Sequence, residues 1–85
     1  MTDQLEKARR FLVLHRGEQP LLLPNPWDRG SAVLLASMGF HALATTSSGF
    51  AATLGRPDGR VTRDEAVEHA AAIVQATNLP VTADL

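Results

Sequence analysis

The sequence contains no cysteine and few aromatic residues, and neither acidic nor basic residues are in clear excess. Without cysteine, disulfide scaffolds, zinc sites built on thiolates and thiol nucleophiles are all excluded. The formal net charge is -1 and the basic residues are scattered, which argues against nucleic acid because phosphate binding needs clustered Lys and Arg. No apolar run approaches the roughly 20 residues of a membrane-spanning helix. The polar start is unlike a secretory signal. We therefore expect a cytoplasmic protein with neither nucleic-acid nor membrane partners.

What the sequence does contain is the composition of a small folded domain. The chain has 85 residues, of which 45% are hydrophobic and 20% charged, and these fractions are ordinary for a globular protein. Enough apolar surface is present to offset the entropy of ordering, so disorder is not expected. A chain of this length supports one core of marginal size. We expect residues 1–85 to form one unit, with an N-terminal helix over 1–18 and βα units over 19–85.

Short apolar runs alternate with helical patterns along the chain. The runs predict buried strands, because they are brief and bounded by proline, glycine or polar residues, at 20–24, 40–45 and 79–84. Apolar residues recur at helical spacing over 2–15, 28–38 and 62–78. The stretch 46–59, rich in Thr, Ser and Gly, predicts a loop. Strands that alternate with helices favour parallel pairing through right-handed crossovers. The sequence thus predicts an α/β fold with three strands and about three helices.

The clearest helix start lies at Thr62. Thr62 and Glu65 have the spacing of a capping box, in which each side chain bonds a backbone N–H of the other residue. The strand that follows this helix reaches Leu85 without a covering helix, although parallel strands are normally buried on both faces. Two explanations stay open: a small α/β domain that tolerates an exposed edge, or the first part of a larger fold. We favour the second.

Polar side chains follow each predicted strand, at the edge where parallel α/β folds place their sites. They are, in chain order, Asn25, Trp27, Asp28, Thr46, Ser47, Ser48, Asp58 and Asp84. The stretch 46–49 combines small side chains with several N–H donors that can cradle a carboxylate or an oxyanion, although a polar loop with a helix cap is its more common role. Asp58 in Pro-Asp-Gly is by itself a turn former. Asp84 directly follows a strand, where a carboxylate can bind Mg²⁺ or cap the next loop.

The three histidines carry little functional signal. His15, His41 and His69 lack a spacing suited to a metal pair. We interpret all three as structural or solvated. The sequence also lacks a phosphate-loop lysine, a dinucleotide-binding glycine fingerprint and a nucleophile elbow.

Several motifs occur in an order and spacing that are specific when taken together. They are Leu23-Pro24-Asn25-Pro26-Trp27-Asp28, Ala44-Thr45-Thr46-Ser47-Ser48-Gly49, Leu54-Gly55-Arg56-Pro57-Asp58-Gly59 and Leu79-Pro80-Val81-Thr82-Ala83-Asp84-Leu85. In these motifs, over about residues 21–85, the chain resembles the isocitrate lyase and phosphoenolpyruvate mutase superfamily. No single motif is decisive, and the joint pattern carries the resemblance.

The resemblance implies a parallel (β/α)₈ TIM-type barrel, of which this chain would supply the first strands and helices. It implies a Mg²⁺-dependent enzyme that cleaves or forms C–C or P–C bonds in small oxo or hydroxy carboxylates through an enolate-like intermediate. By position, Thr46, Ser47 and Ser48 match the family's substrate-binding loop, Asp58 matches an acid of its active site, and Asp84 matches the first acid of its metal motif. The resemblance also implies a homo-oligomer, since the full-length barrels of the family form tetramers.

The chain departs from the family pattern in its substrate loop. Many lyases and mutases of the family have Ser-Gly-Gly or Ser-Gly-Leu where this chain has Thr46-Ser47-Ser48, which leaves the substrate open. We expect an N-terminal fragment of a lyase or phosphonomutase that is inactive alone. The alternatives are a non-catalytic α/β interaction module, and copies of the chain that associate through the exposed strand edge.

Overall fold

The structure, a computed structural model, describes residues 4–16 and 21–83. Its elements are, in chain order, helix α1 (Gln4–His15), helix α2 (Arg29–Ser37), strand β1 (Leu43–Ala44), helix α3 (Ser47–Thr53), helix α4 (Arg63–Ala76) and strand β2 (Val81–Thr82). Helices are present in all three ranges where they were expected, 2–15, 28–38 and 62–78. The second and third have shorter bounds, and residues 2 and 3 of the first range lie outside the described residues. None of the helices in these two ranges is both long and apolar enough to cross a membrane.

Strands β1 and β2 are parallel, with Leu43 opposite Val81 and Ala44 opposite Thr82. Two backbone bonds fix this register: Leu43 N–H donates to the Pro80 carbonyl, and Thr45 N–H donates to the Thr82 carbonyl, both at 2.9 Å. Helices α3 and α4 lie between the strands in the chain, so the connection is a crossover of the βαβ type. The α/β class with parallel pairing is confirmed. The carboxyl ends of both strands therefore lie at one edge.

The predicted first strand is wrong in its described part, residues 21–24, which carry no strand. Its end does run beside β1, because Ala44 N–H donates to the Pro24 carbonyl at 3.0 Å. A parallel bridge built on that bond needs a second donor, either the N–H of residue 24 or that of residue 26. Both residues are proline and have no N–H. The Asn25 side-chain amide donates to the Ala44 carbonyl instead, at 3.0 Å.

The predicted loop over 46–59 is wrong in its first half, which forms helix α3. Thr46 caps this helix, since its backbone is extended and its hydroxyl accepts a bond from Gly49 N–H. Ala51 is fully buried on the inner side of the helix. The many Ser, Thr and Gly residues have weak helix propensity, and here a cap and burial outweigh it. Gly55, with φ of 70°, follows the helix in the left-handed conformation that a glycine adopts at low cost.

The core is small and lies between α2, α4 and the two strands. Its fully buried residues are Ala32, Leu43 and Ile73, packed against the partly buried Leu35, Ala76, Leu79 and Val81. Many large apolar side chains stay outside it, and those more than half exposed include Leu5, Val13, Leu22, Leu34 and Met38. The chain thus presents more apolar surface than its own core uses.

Helix α1 is held on the end of α4 by basic side chains. Lys7, only 7% exposed, donates to the carbonyls of Val74 at 2.8 Å and Thr77 at 3.2 Å. Arg10 donates to the carbonyl of Asn78. These carbonyls belong to the last turn of α4 and its exit, where backbone acceptors lack helical partners and the helix dipole favours a cation. Burial, together with the charge of Arg10, lowers the pKa of Lys7 from its usual value.

Replacement of Lys7 by Met tests this anchor. The Lys7→Met variant keeps the apolar stem but leaves the Val74 and Thr77 carbonyls without their donor. We expect the free energy of unfolding to fall by about 1–3 kcal/mol, measured by urea denaturation followed by circular dichroism. The matched control is Arg9→Met on the exposed side of α1, which should unfold close to the wild type. Equal midpoints for the two variants would show that the contact contributes nothing.

Candidate functional site

A cavity of about 600 Å³ opens at the carboxyl edge of β1, between α3, α4 and the turn that joins them. Hydroxyls and a carboxylate are among its lining groups, from Thr45, Thr46, Ser47, Asp58 and Thr62. Apolar side chains line it as well, from Phe50, Val61, Ala66 and Val67. The cavity therefore combines polar groups with apolar lining, as small-molecule sites commonly do.

Ser47 and Asp58 meet in this cavity, although they are eleven positions apart in the chain. The Ser47 hydroxyl donates to Asp58 Oδ1 at 3.3 Å. Ser47 opens α3, whereas Asp58 lies in the turn before α4, which Gly59 shapes with φ of 86°. Both side chains are exposed, so a bound molecule could reach them. The two motifs that suggested a site in the sequence thus converge.

Thr46 and Ser48 complete a group of three hydroxyls at the start of α3. Thr46 Oγ1 accepts a hydrogen bond from Gly49 N–H at 3.3 Å. The same oxygen lies 3.3 Å from Ser48 Oγ. Thr46 is therefore a helix cap, the more common role weighed for this stretch. The substrate-binding role of Thr46, Ser47 and Ser48 and the catalytic role of Asp58 stay predictions.

The turn before α4 is pinned by an ion pair. Arg56 Nη1 donates to Glu65 Oε1 at 2.6 Å, and the same carboxylate oxygen accepts the Thr62 N–H at 3.0 Å. Glu65 N–H in turn donates to the Thr62 hydroxyl at 3.1 Å, so the predicted capping box is confirmed. The Arg56 hydrogen bond, followed by that from Thr62, lowers the pKa of Glu65 to about 2. This cluster fixes both ends of the turn that carries Asp58.

Asp28, which follows the first predicted strand, acts as the cap of α2. Its carboxylate accepts the Ser31 N–H at 2.8 Å. The Ser31 hydroxyl accepts from the backbone N–H groups of Trp27, at 2.9 Å, and Asp28, at 3.1 Å. The bonds from Ser31 lower the pKa of Asp28. The carboxylate is thus engaged in helix capping at the margin of the site.

His69 lies in the wall of the cavity, a position that the sequence analysis did not predict. Its Nε2 is 2.8 Å from the carbonyl oxygen of Trp27. Its ring stacks on Phe50, with centroids 3.9 Å apart and planes inclined by 13°. A structural role agrees with these contacts. The available signal was helical spacing: the cap Thr62, Ala66 and His69 recur at intervals of four and three, which puts these three lining residues along one side of α4.

A magnesium ligand set is not complete within 4–16 and 21–83. Asp84, the predicted first ligand, lies outside the described residues. Inside them, no group of three or more His, Asp or Glu side chains could hold a metal ion. Mg²⁺ takes about six oxygen ligands, and Asp58 offers one carboxylate. The described residues alone do not fit the ion, so the metal stays a prediction.

Comparison with known proteins gives consistent matches over most of the chain. Residues 11–85 match the family model described as phosphoenolpyruvate phosphomutase. The 2-methylisocitrate lyase of Halalkalibacterium halodurans is 39% identical over 84 residues, which are 98% of this chain and 28% of that protein. The 2,3-dimethylmalate lyase of Eubacterium barkeri is 39% identical over 82 residues, 94% of this chain and 28% of that protein.

A solved structure shares the fold. The crystal structure of a candidate lyase/mutase from Burkholderia cenocepacia superimposes with a TM-score of 0.90 and 49% identity, covering 93% of this chain and 28% of that one. The chain therefore spans little more than a quarter of the length of the proteins that it matches.

Acid titration tests the ion pair that pins the turn. Because the folded-state pKa of Glu65 is lowered to about 2 from 4.5, its contribution to stability is present above pH 4.5 and is lost as the pH falls toward 2. We expect the free energy of unfolding to depend less on pH in that window in Glu65→Gln than in the wild type. Urea denaturation at stepped pH measures this.

In Arg56→Gln the free energy of unfolding should likewise depend less on pH in this range, because the basic partner of the ion pair is removed. Arg60→Gln, which removes the same charge from a neighbouring exposed position, is the matched control and should keep the wild-type slope. An unchanged slope in Glu65→Gln would contradict the assignment.

Proposed function

The chain belongs to the phosphoenolpyruvate phosphomutase family, and from this premise we propose that it is the N-terminal portion of a Mg²⁺-dependent, cytoplasmic lyase or phosphonomutase. The reaction would cleave or form a C–C or P–C bond in a small oxo or hydroxy carboxylate through an enolate-like intermediate. The observation that carries the proposal is the contact between Ser47 and Asp58 at the carboxyl edge of β1. That edge is where parallel α/β enzymes place their catalytic groups.

The hydroxyls of Thr46, Ser47 and Ser48 are suited to a substrate carboxylate. A carboxylate accepts several hydrogen bonds, and hydroxyls can turn to donate to it. In the structure the single proton of Ser47 is donated to Asp58, so this hydroxyl would turn from Asp58 toward a bound carboxylate, and Asp58 would then accept from a substrate hydroxyl or a water. Donors held at the site in this way would stabilise the developing charge of an enolate.

The proposed metal lies with Asp84 and with residues beyond those described. When bound, Mg²⁺ would supply positive charge for an enolate oxygen. In this proposal Asp84 is its first ligand, and Asp58 is the acid of the site.

The apolar lining of the cavity favours a substrate with an aliphatic part. Phe50, Val61, Ala66 and Val67 are among its lining residues, and an alkyl group packed against them would leave water. Two relatives are named for methyl-substituted acids, 2-methylisocitrate and 2,3-dimethylmalate. This supports the lyase branch of the proposal over phosphonomutase chemistry.

Self-association is a second candidate function, favoured by the exposed apolar side chains. Leu22 is 67% exposed and Met38 is 64% exposed, and the sheet described here ends at β2. An edge strand can pair with another copy, and exposed apolar side chains can add to the interface between copies. An assembly of several copies, detected by light scattering, would support this alternative, and it also agrees with the homo-oligomer that we propose for the parent enzyme.

The isolated chain should be inactive. We expect no Mg²⁺-dependent turnover of oxaloacetate, methylisocitrate or phosphonopyruvate by the purified 85 residues, because a site needs several preorganised ligands and most are absent from the described cavity. Product formation is followed by a coupled spectrophotometric assay with and without EDTA. Robust turnover of any of the three would overturn this expectation.

A chimera tests the site residues directly. In the chimera, this chain is substituted for the matching segment of the Halalkalibacterium halodurans 2-methylisocitrate lyase, to which it is 39% identical. We expect cleavage of 2-methylisocitrate that EDTA abolishes. Ser47→Ala and Asp58→Asn should each lower kcat/KM roughly 10²-fold or more, because each removes an oriented polar group. Steady-state kinetics measures both.

The control is Asp64→Asn, an exposed acid in the first turn of α4, which should leave kcat/KM near that of the parent chimera. Circular dichroism verifies that each variant is folded. A folded, active chimera that is indifferent to Ser47→Ala and Asp58→Asn would refute the assigned roles, and a folded but inactive chimera would count against the proposed function itself.

A further inference from the structure

We infer that His69 is a positioning residue, which holds the loop 25–28 and the start of α3 in place at the candidate site. What it positions depends on the proposed function, because the start of α3 carries the proposed substrate loop. The positioning itself rests on contacts that His69 makes with two separate segments of the chain.

The first contact fixes the backbone of Trp27. A carbonyl oxygen can only accept, so His69 Nε2 carries the proton and donates it to Trp27 at 2.8 Å. The N–H of Trp27 donates to the Ser31 hydroxyl at 2.9 Å. Both backbone polar groups of Trp27 are therefore held by side chains, one from α2 and one from α4. His69 is thus one of the two side-chain anchors of this residue.

The second contact fixes the first turn of α3. The His69 ring stacks on Phe50 with a centroid separation of 3.9 Å, and Phe50 N–H donates to the Thr46 carbonyl at 3.1 Å. Displacement of the Phe50 ring would therefore also displace Thr46, the cap of α3. Ser47 and Ser48 lie in the turn that this bond closes.

The two segments that His69 contacts, the loop 25–28 and the start of α3, also contact each other. A Cβ at Gly49 would lie 2.5 Å from Trp27 Nε1 and 2.7 Å from Thr46 Cγ2, so the indole packs directly on the α3 backbone, at a distance that only glycine permits. Trp27, the first turn of α3 and His69 therefore form a closed triangle of contacts. Replacement of His69 removes two of these three contacts, those with Trp27 and Phe50, and leaves the contact between Trp27 and Gly49.

The site is sensitive to such a loss. The Ser47–Asp58 bond is 3.3 Å long, near the upper end of the hydrogen-bond range. A displacement of the α3 start by a fraction of an ångström would break it, and catalytic groups need to be held to within about 0.5 Å. The contacts that carry the effect of His69 are those with Trp27 and Phe50, and through them it acts on Ser47.

Three substitutions separate the two contacts. His69→Gln keeps an N–H donor at the reach of Nε2 and removes the ring, whereas His69→Phe keeps the ring and removes the donor. His69→Ala removes both. The matched control is Glu68→Gln, an exposed neighbour on α4. The experiment uses the 85-residue chain without any ligand, labelled with ¹⁵N.

Two NMR signals report on the triangle. The indole N–H of Trp27 gives one resonance because the chain has a single tryptophan, and the Gly49 amide reports on the α3 cap. In His69→Ala we expect a shifted indole resonance and roughly fivefold faster hydrogen exchange at Gly49, while β2 amides keep their wild-type exchange rates. His69→Gln and His69→Phe should each restore part of the effect, and Glu68→Gln should match the wild type.

The opposite results would overturn the inference. These are a wild-type indole resonance and Gly49 exchange rate in His69→Ala, or an increase in exchange spread evenly over all helices, which would indicate a general loss of stability. If His69→Ala does not fold, the Gln and Phe variants decide by the same two signals. No readout uses a substrate, so an inactive chimera would refute the proposed function and leave this inference standing.

Discussion

The parallel pairing of β1 (Leu43–Ala44) with β2 (Val81–Thr82) is the constraint on which the remaining structure depends. Two residues of strand pairing are marginal by themselves, and the pairing is sustained because Leu43 is packed with Ala32 and Ile73 in the one core cluster described. Once the register is fixed, the carboxyl end of β1 delivers the chain directly into α3. The crossover then returns through α4 and brings the turn with Asp58 back to the same edge.

Proline determines how the neighbouring segment joins this pair. Pro24 and Pro26 each lack the N–H that a parallel bridge to β1 would use, so the segment is attached through the Asn25 amide. The residues that follow are likewise held by side chains, with Ser31 and His69 bonded to the backbone of Trp27. A loop anchored in this way depends on the identity of a few side chains, whereas a strand depends mainly on its backbone.

The sequence predicted best those features whose causes are local. The capping box of Thr62 and Glu65 was readable because its two residues are only three positions apart. Helix α3 was missed because burial of Ala51 depends on the folded context. The absence of the first strand was missed because it depends on which backbone groups of this segment face β1, and the sequence alone does not show that pairing. Ser47 and Asp58 were identified through the resemblance, but their contact depends on the crossover, and the bond of His69 joins residues 42 positions apart.

The electrostatic state of the site explains why these residues need further structure around them. Ser47 and Asp58 are both exposed, so water competes for the same hydrogen bonds and screens the carboxylate charge. Oriented donors stabilise an enolate strongly only where water is excluded, because the low dielectric strengthens each interaction. The polar groups described here are already oriented, by the cap of α3, the Arg56–Glu65 ion pair and the contacts of His69. Among the described residues, however, Ser47 and Asp58 stay open to water, so their orientation alone does not give the low dielectric that would strengthen these interactions.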